Sequence, residues 1–168
     1  MDTATKPTPI ITPSELLAYW QGHRQLTRRV IDAFPEKELF EFSIGGMRTF
    51  SELAKELLSM AAPTLEQVVT GKFDEYGDQK KEYKTKADIL KGWDEATEQI
   101  NIYWKQLPEE KFRETFNLYG QYNYPLIQNL QYIIDNEVHH RGQGYVYLRA
   151  LNIAPPPFWE REPFGQYQ

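Results

Sequence analysis

The chain has 168 residues, a length that suits one hydrophobic core, and we expect a single domain spanning residues 1–168. Hydrophobic residues make up 40% and charged residues 26%, proportions typical of a globular protein rather than a disordered or membrane-embedded one. Because cysteine is absent, a disulfide, a catalytic thiol and a cysteine-ligated metal are excluded, and the net charge of −5 argues against a nucleic-acid partner.

The amino-terminal segment carries no visible targeting signal. Met1–Ile11 holds Lys6 and two prolines, without an apolar stretch followed by a small-residue cleavage site. No window of the sequence approaches the roughly 20 consecutive apolar residues that span a bilayer. We therefore expect a cytoplasmic protein with no membrane partner.

The first helix is predicted to run from Pro13 to Phe34. Thr12 and Glu15 form a capping box around its start, and Pro35 ends it. Its core stripe recurs at helical spacing and comprises Leu16, Trp20, His23, Thr27, Val30 and Phe34. Residues 36–47 contain a glycine pair and no helical period, so they are predicted to form a connecting loop.

The second helix is predicted to begin after Thr49, which forms a capping box with Glu52. Its apolar face comprises Leu53, Leu57, Met60 and Ala61. Pro63 lacks a backbone donor, so we expect this helix to kink or end there and to restart through Val69. Residues 71–83 are polar and predict a solvated loop.

A third helix is capped by Thr85 with Asp88 and ends before Pro108, and a fourth runs from about Pro125 to Leu151. Residues 109–124 predict a short helical turn and a loop, and no segment shows the alternation of a strand. Residues 152–168 are expected to form an extended tail packed on the bundle surface, with the aromatic residues Phe158, Trp159, Phe164 and Tyr167. Four amphipathic helices predict an all-α four-helix bundle whose core spans about residues 13–151.

Two of the three histidines, His139 and His140, are adjacent in the fourth helix. Neighbouring side chains on a helix point about 100 degrees apart, so only one of them can face the interior. The core positions Leu126, Ile133 and Tyr147 lie at seven-residue intervals that include 140. His140 is therefore the inward candidate, either as a functional group or as a satisfied core histidine, and His139 should lie nearer the surface.

The segment Asn136–Arg149, followed by Pro155–Trp159, resembles the carboxy-terminal signature of the DinB/YfiT-like proteins. Arg48–Leu53 looks like the opening of the second helix in that family. The resemblance extends from about Pro13 to Arg161. It implies an up-down-down-up bundle, often dimeric, that holds a divalent metal with three histidines. The family includes metal-dependent thiol transferases and isomerases, and the resemblance implies a thiol S-transferase or hydrolase type of activity here.

The resemblance places the three metal-ligand positions at Glu56, Asn136 and His140. Side chains four residues apart on one helix can reach one ion together, and a second helix can complete the ligand set. Only His140 is a histidine here, and a neutral Asn136 amide is a weak ligand for zinc or nickel. Glu56 lies among apolar residues, so its carboxylate should be paired with a cation or partly exposed.

Two functions remain open at this level. In the first, the chain is an enzyme that binds zinc, nickel or manganese, with Arg141 and His139 as catalytic candidates acting on a small-molecule substrate. In the second, the metal site is degenerate and the bundle binds a small molecule or partner without catalysis.

Several other residues of the bundle also carry expectations. His23 could approach the same interior but is expected to pack beside aromatic rings. Arg141 is also expected to form a local, exposed ion pair with Glu137. Gly142 and Gly144 cost about 1 kcal/mol each within a helix, which predicts that another backbone packs close to them at a helix–helix seam, such as a homodimer contact.

Overall fold

The computed structural model describes residues 9–72 and 81–161. Its four long helices are α1 (Pro13–Ala33), α3 (Phe50–Thr70), α4 (Lys86–Trp104) and α5 (Leu126–Ala150), and a short helix, α2 (Glu36–Glu41), follows α1. Within the described ranges no helix is both long and apolar enough to cross a membrane.

Capping boxes start three of the long helices. Thr12, Thr49 and Thr85 each accept a hydrogen bond from the backbone amide three residues on, and the acidic side chain at that position accepts one from the backbone of the threonine. These paired bonds satisfy amides that the first helical turn leaves open. The helix starts predicted from the sequence are therefore confirmed for α1, α3 and α4.

α3 continues through Pro63, so the alternative that the helix ends at this proline is wrong, and the alternative of a kink stays a prediction. A proline within a helix removes one backbone hydrogen bond. α3 nevertheless packs against both α4 and α5, and its buried residues include Ala62 before Pro63 and Leu65 after it. We infer that this packing outweighs the lost bond. The helix ends at Gly71, whose left-handed conformation suits glycine.

The stretch predicted as a loop between the first two long helices instead contains α2. Leu39 of α2 is fully buried, and the helix contacts α3. The six residues of α2 are too few to produce a recognisable apolar period, which explains the error.

A small antiparallel sheet lies before α5, so the expectation of no strand was wrong. Its strands are β1 (Thr115–Leu118) and β2 (Tyr122–Pro125), with Thr115 opposite Pro125. The side-chain amide of Asn129 donates to backbone carbonyls of both strands and so ties the hairpin to α5. A 3-10 helix, Glu109–Arg113, confirms the predicted helical turn. The fold is mostly helical rather than purely α.

The core lies between the four long helices. α1 and α3 each pack against both α4 and α5. The inward stripe predicted for the last helix is confirmed, since Leu126, Ile133, His140 and Tyr147 are all buried. α5 thus carries polar groups into the interior, with α1 on one side and α3 on the other.

The carboxy-terminal segment returns to α1 and is only partly packed. Phe158 and Trp159 are 65% and 68% exposed, so these two aromatic side chains do not pack on the bundle as expected. The attachment comes instead from Glu160, which pairs with Arg29, and from Arg161, which reaches His23. The predicted tail aromatics Phe164 and Tyr167, residues 1–8 and most of the predicted loop over 71–83 lie outside the described residues.

Candidate functional site

Polar side chains leave α5 in two directions within the core. Asn136 and His140 face α3, where they meet Glu56, whereas Glu137 and Arg141 face α1. Each pair shares one direction because residues four apart on a helix lie on the same face. We call Glu56, Asn136, His140 and Arg48 together the Glu56 cluster.

The Glu56 cluster brings the three predicted ligand positions to one atom. Asn136 Nδ2 donates to Glu56 Oε1 over 3.1 Å, and His140 Nε2 lies 3.0 Å from the same oxygen. The guanidinium of Arg48 pairs with Glu56 Oε2. The other ring nitrogen of His140 faces Gln143 Oε1 at 3.4 Å. The expectation that Glu56 is paired with a cation or partly exposed is confirmed on both counts, since Arg48 pairs with it and 30% of its side chain is accessible.

The electrostatics of this cluster favour a charged carboxylate. Burial acts to raise the pKa of Glu56, but hydrogen bonds from Asn136, His140 and Arg48 outweigh it and bring this pKa to about 2. Glu56 is therefore an anion at every physiological pH. Its charge is held by groups of the protein itself.

The side chains of the cluster do not fit a divalent metal. Asn136 Nδ2 touches two acceptors, Glu56 Oε1 and Met60 Sδ at 3.2 Å, so its amide oxygen points away from the shared point. This leaves one carboxylate and one imidazole, fewer than the three protein ligands of a usual zinc site. Arg48 occupies the second carboxylate oxygen. No group of three or more His, Asp or Glu side chains suited to a metal occurs in the described part of the chain.

The predicted catalytic candidate His139 lies on the exposed side of α5, apart from Glu56. Its ring is tilted against that of His140 at 5.2 Å between centroids, and its Nε2 contacts the Gln143 side chain at 3.1 Å. The expectation that His139 lies nearer the surface is confirmed. Its predicted catalytic role stays a prediction.

Arg141, the other predicted catalytic candidate, is buried in a network around Glu137. Thr27 Oγ1 donates to Glu137 Oε1 over 2.6 Å, and the Nη1 atoms of Arg24 and Arg141 lie 3.9 and 4.0 Å from the carboxylate. Trp20 Nε1 approaches Glu137 Oε2 at 3.4 Å. The predicted local ion pair between Glu137 and Arg141 is confirmed, but it is buried rather than exposed, because α1 covers both groups.

His23 joins this second region and not the Glu56 cluster. Arg141 Nη2 lies 2.9 Å from His23 Nδ1, and Arg161 Nη1 lies 2.8 Å from His23 Nε2. The ring also packs edge-on against Tyr19, as expected for a histidine beside aromatic side chains. Burial, followed by the charges of Arg141 and Arg161, lowers the pKa of His23 to about 3. The imidazole is thus neutral at physiological pH.

A cleft of about 480 Å³ lies between the amino-terminal halves of α1 and α5. Its volume is within the range of small-molecule sites. The lining mixes apolar side chains with two polar ones and comprises Ile11, Leu16, Tyr19, Gln131, Ile134 and Asp135. Tyr19 connects this cleft to His23.

Sequence reasoning missed Arg24, Arg48 and Arg161 as parts of these sites. Arg24 had a detectable signal, since it lies four residues after Trp20 on the core stripe of α1 and is fully buried. Arg48 precedes a helix cap, and Arg161 lies in the tail. Neither position has a periodicity from which its contact could be predicted.

Comparison with known proteins agrees with the fold. A sequence model of the DinB family matches residues 1–163. The uncharacterized protein YjoA of Bacillus subtilis (strain 168) is 20% identical over 88% of this chain and 96% of its own length. A crystal structure of YjoA superimposes with a TM-score of 0.69 over 87% of this chain and 98% of that one. A DinB-like protein from Bacillus cereus ATCC 10987 is 18% identical with a TM-score of 0.70, over 86% and 95% of the two chains.

Proposed function

The chain belongs to the DinB family, and from this premise we propose that it is a non-catalytic, small-molecule-binding bundle in which protein groups have replaced the metal. The observation that carries this proposal is the contact of Arg48 with Glu56. A guanidinium is a permanent cation with several donors. It neutralises the carboxylate that would otherwise attract a metal ion.

The rest of the Glu56 cluster supports the same reading. Asn136 and His140 both approach the remaining oxygen, Glu56 Oε1. A carboxylate that accepts several hydrogen bonds and a salt bridge is already stabilised as an anion, which agrees with its pKa of about 2. A metal would have to displace these donors to gain a two-ligand site.

We place the ligand in the cleft between α1 and α5. The cleft offers apolar walls from Leu16 and Ile134 and polar groups from Gln131 and Asp135. Small-molecule sites combine these features, because apolar walls supply affinity and a few polar groups fix orientation.

The same reading includes an up-down-down-up order of the four long helices. Contacts between α1 and α5 join Trp20 to Glu137 and His23 to Arg141, as in parallel helices. Contacts between α3 and α5 join Phe50 to Gly144 and Met60 to Asn136, as in antiparallel helices. Gln21 with Asn101 and Arg28 with Asp94 likewise support α1 and α4 running in opposite directions.

Metal content tests the proposal directly. Protein purified without an affinity tag is analysed for its elements, and thermal unfolding is then followed with added zinc, nickel or manganese. We expect no stoichiometric metal and no metal-dependent rise in Tm. The matched variant carries Glu56→His and Asn136→His, which supplies three histidines at the converging positions and should bind metal tightly. Adding His140→Ala to that variant should abolish the gain.

The metal-dependent enzyme remains the second candidate, because Glu56 and His140 still meet at one point. It predicts near-stoichiometric metal in the parent protein that is lost in His140→Ala. That result would overturn the proposed function. If the double histidine variant bound metal no better than the parent, the assignment of the three positions would fall.

A further inference from the structure

We propose that Arg141 and Arg161 form a binding site for the carboxylate or phosphate group of a small molecule, beside His23 at the end of the cleft. The inference names the ligand class and so rests on the proposed small-molecule-binding function. Three observations support it. They are the contacts around His23, the charge balance of the buried network around Glu137, and the position of His23 and the arginines beside the cleft.

The contacts around His23 place two donors against one acceptor. Arg141 Nη2 faces Nδ1 at 2.9 Å, and Arg161 Nη1 faces Nε2 at 2.8 Å. A neutral imidazole has one nitrogen that accepts and one that donates, whereas a guanidinium only donates. Since the low pKa of His23 keeps the ring neutral, one of the two contacts sets an N–H against an N–H. An anion between the guanidinium groups would accept from both and from the ring N–H.

The two guanidinium groups are close enough to share one ligand. Arg161 Nη1 is also 3.5 Å from His23 Nδ1, the nitrogen that Arg141 Nη2 approaches. Two like charges at this separation repel, and the charge of Arg161 contributes to lowering the pKa of Arg141, after the larger effect of burial. A carboxylate or phosphate presents several oxygens and relieves this repulsion, with bidentate geometry that suits guanidinium.

The buried network carries more positive than negative charge. Arg24 and Arg141 are 0% and 6% exposed, and Glu137 is the one carboxylate that comes within 4.0 Å of either among the described residues. Arg24 Nη1 has no hydrogen-bond partner in the same part of the chain. Buried charges are costly unless they are paired. One carboxylate for two buried guanidinium groups therefore leaves a net cation that favours an anionic ligand.

The surroundings connect this site to the cleft. Tyr19 lines the cleft, packs edge-on against His23 at 4.5 Å, and lies with its ring centroid 5.5 Å from Arg161 Cζ. Tyr145 lies near Arg141, and its shielded hydroxyl makes no hydrogen bond to the described residues. A ligand with an apolar body and an anionic head would fill the cleft and reach the arginines.

Binding of matched aromatic probes tests the site. Isothermal titration of the full chain is carried out with phenyl phosphate, benzoate and the neutral benzyl alcohol. We expect saturable binding of at least one anion, and the two anionic arms show whether phosphate or carboxylate is preferred. Arg161→Gln should weaken binding about tenfold or more, as expected for the loss of a charge-assisted hydrogen bond. Arg28→Gln, on the α4 side of α1, should bind like the parent.

Three results would overturn the inference: no saturable binding of either anion, equal binding in Arg161→Gln and Arg28→Gln, or benzyl alcohol binding as tightly as the anions. Since Arg161 lies outside the helices, its variant should fold, and unfolding curves verify this. Failure of the anion site would not change the metal content of the protein. It is therefore distinguishable from failure of the proposed function, which elemental analysis tests.

Discussion

Thr27 donates a 2.6 Å hydrogen bond to the buried carboxylate of Glu137, joining the first and last long helices inside the core. The same threonine hydroxyl accepts from Arg141 Nη1 over 3.1 Å. The bond therefore belongs to a network in which the single carboxylate of Glu137 lies near two arginines, Arg24 and Arg141. Removal of the Glu137 carboxylate should destabilise the protein through the lost charge more than through a change in side-chain shape.

Replacement of Glu137 by glutamine should destabilise the protein strongly. The amide keeps the size and most hydrogen bonds of the carboxylate but leaves Arg24 and Arg141 buried without an anion, at a cost of roughly 3 kcal/mol. Urea unfolding measures the loss. Glu160→Gln is the matched control, because its pair with Arg29 is exposed and should contribute about 0–1 kcal/mol. Equal effects of the two changes would show that the buried carboxylate is not needed to balance the arginines.

The Glu56 cluster should make the free energy of unfolding depend on pH in the acidic range. The pKa of Glu56 is lowered from 4.5 to about 2 in the folded protein, so the unfolded chain takes up a proton first as the pH falls. The stabilisation is complete above pH 4.5 and is lost as the pH approaches 2. Free energies of unfolding across this window should fall less steeply in Glu56→Gln than in the parent. Parallel curves would contradict the depressed pKa.

His23 should remain neutral well below the pH at which histidine usually titrates. Burial and the charges of Arg141 and Arg161 lower its pKa from 6.5 to about 3, so the folded state loses stability as the pH falls from 6.5 towards 3. In NMR spectra, the His23 ring resonances, assigned with a His23→Gln variant, should show no protonation down to about pH 4. A midpoint near 6.5 would exclude the two-arginine environment.

Two glycines of α5 should respond in opposite ways to alanine. A Cβ on Gly144 would lie 2.5 Å from the ring of Phe50, which is stacked on Phe34, so Gly144→Ala should destabilise by about 1–3 kcal/mol. A Cβ on Gly142 meets nothing within 4 Å among the described residues, so Gly142→Ala should stabilise by roughly 0.5–1 kcal/mol through helix propensity. Thermal unfolding measures both changes.

Gly142 and Gly144 also bear on the predicted homodimer, which stays a prediction. The seam expected at Gly144 exists within the chain, with a phenylalanine ring rather than a backbone against it. A Cβ on Gly142 would meet open space among the described residues. If Gly142 lies in a dimer contact, Gly142→Ala should weaken association in sedimentation experiments and should fail to stabilise the protein.

Local signals in the sequence determined the long helices and the orientation of His140. Capping boxes depend on residues three apart, and the stripe through Leu126, Ile133 and Tyr147 depends on the fixed rotation of a helix. Both signals are contained within one element, so they can be read without knowledge of its neighbours. The convergence of Glu56, Asn136 and His140 was also predicted, but only through a family resemblance.

Tertiary structure alone decided what these polar groups contact. Arg48 meets Glu56 and Arg161 meets His23 because separate segments are packed together, and no spacing within either segment encodes the pairing. The same applies to Glu137, whose ion pair with Arg141 was expected on an exposed helix face but is covered by α1. Charge pairing and burial depend on distances between helices, whereas the sequence by itself determines only the direction in which each side chain leaves its own helix.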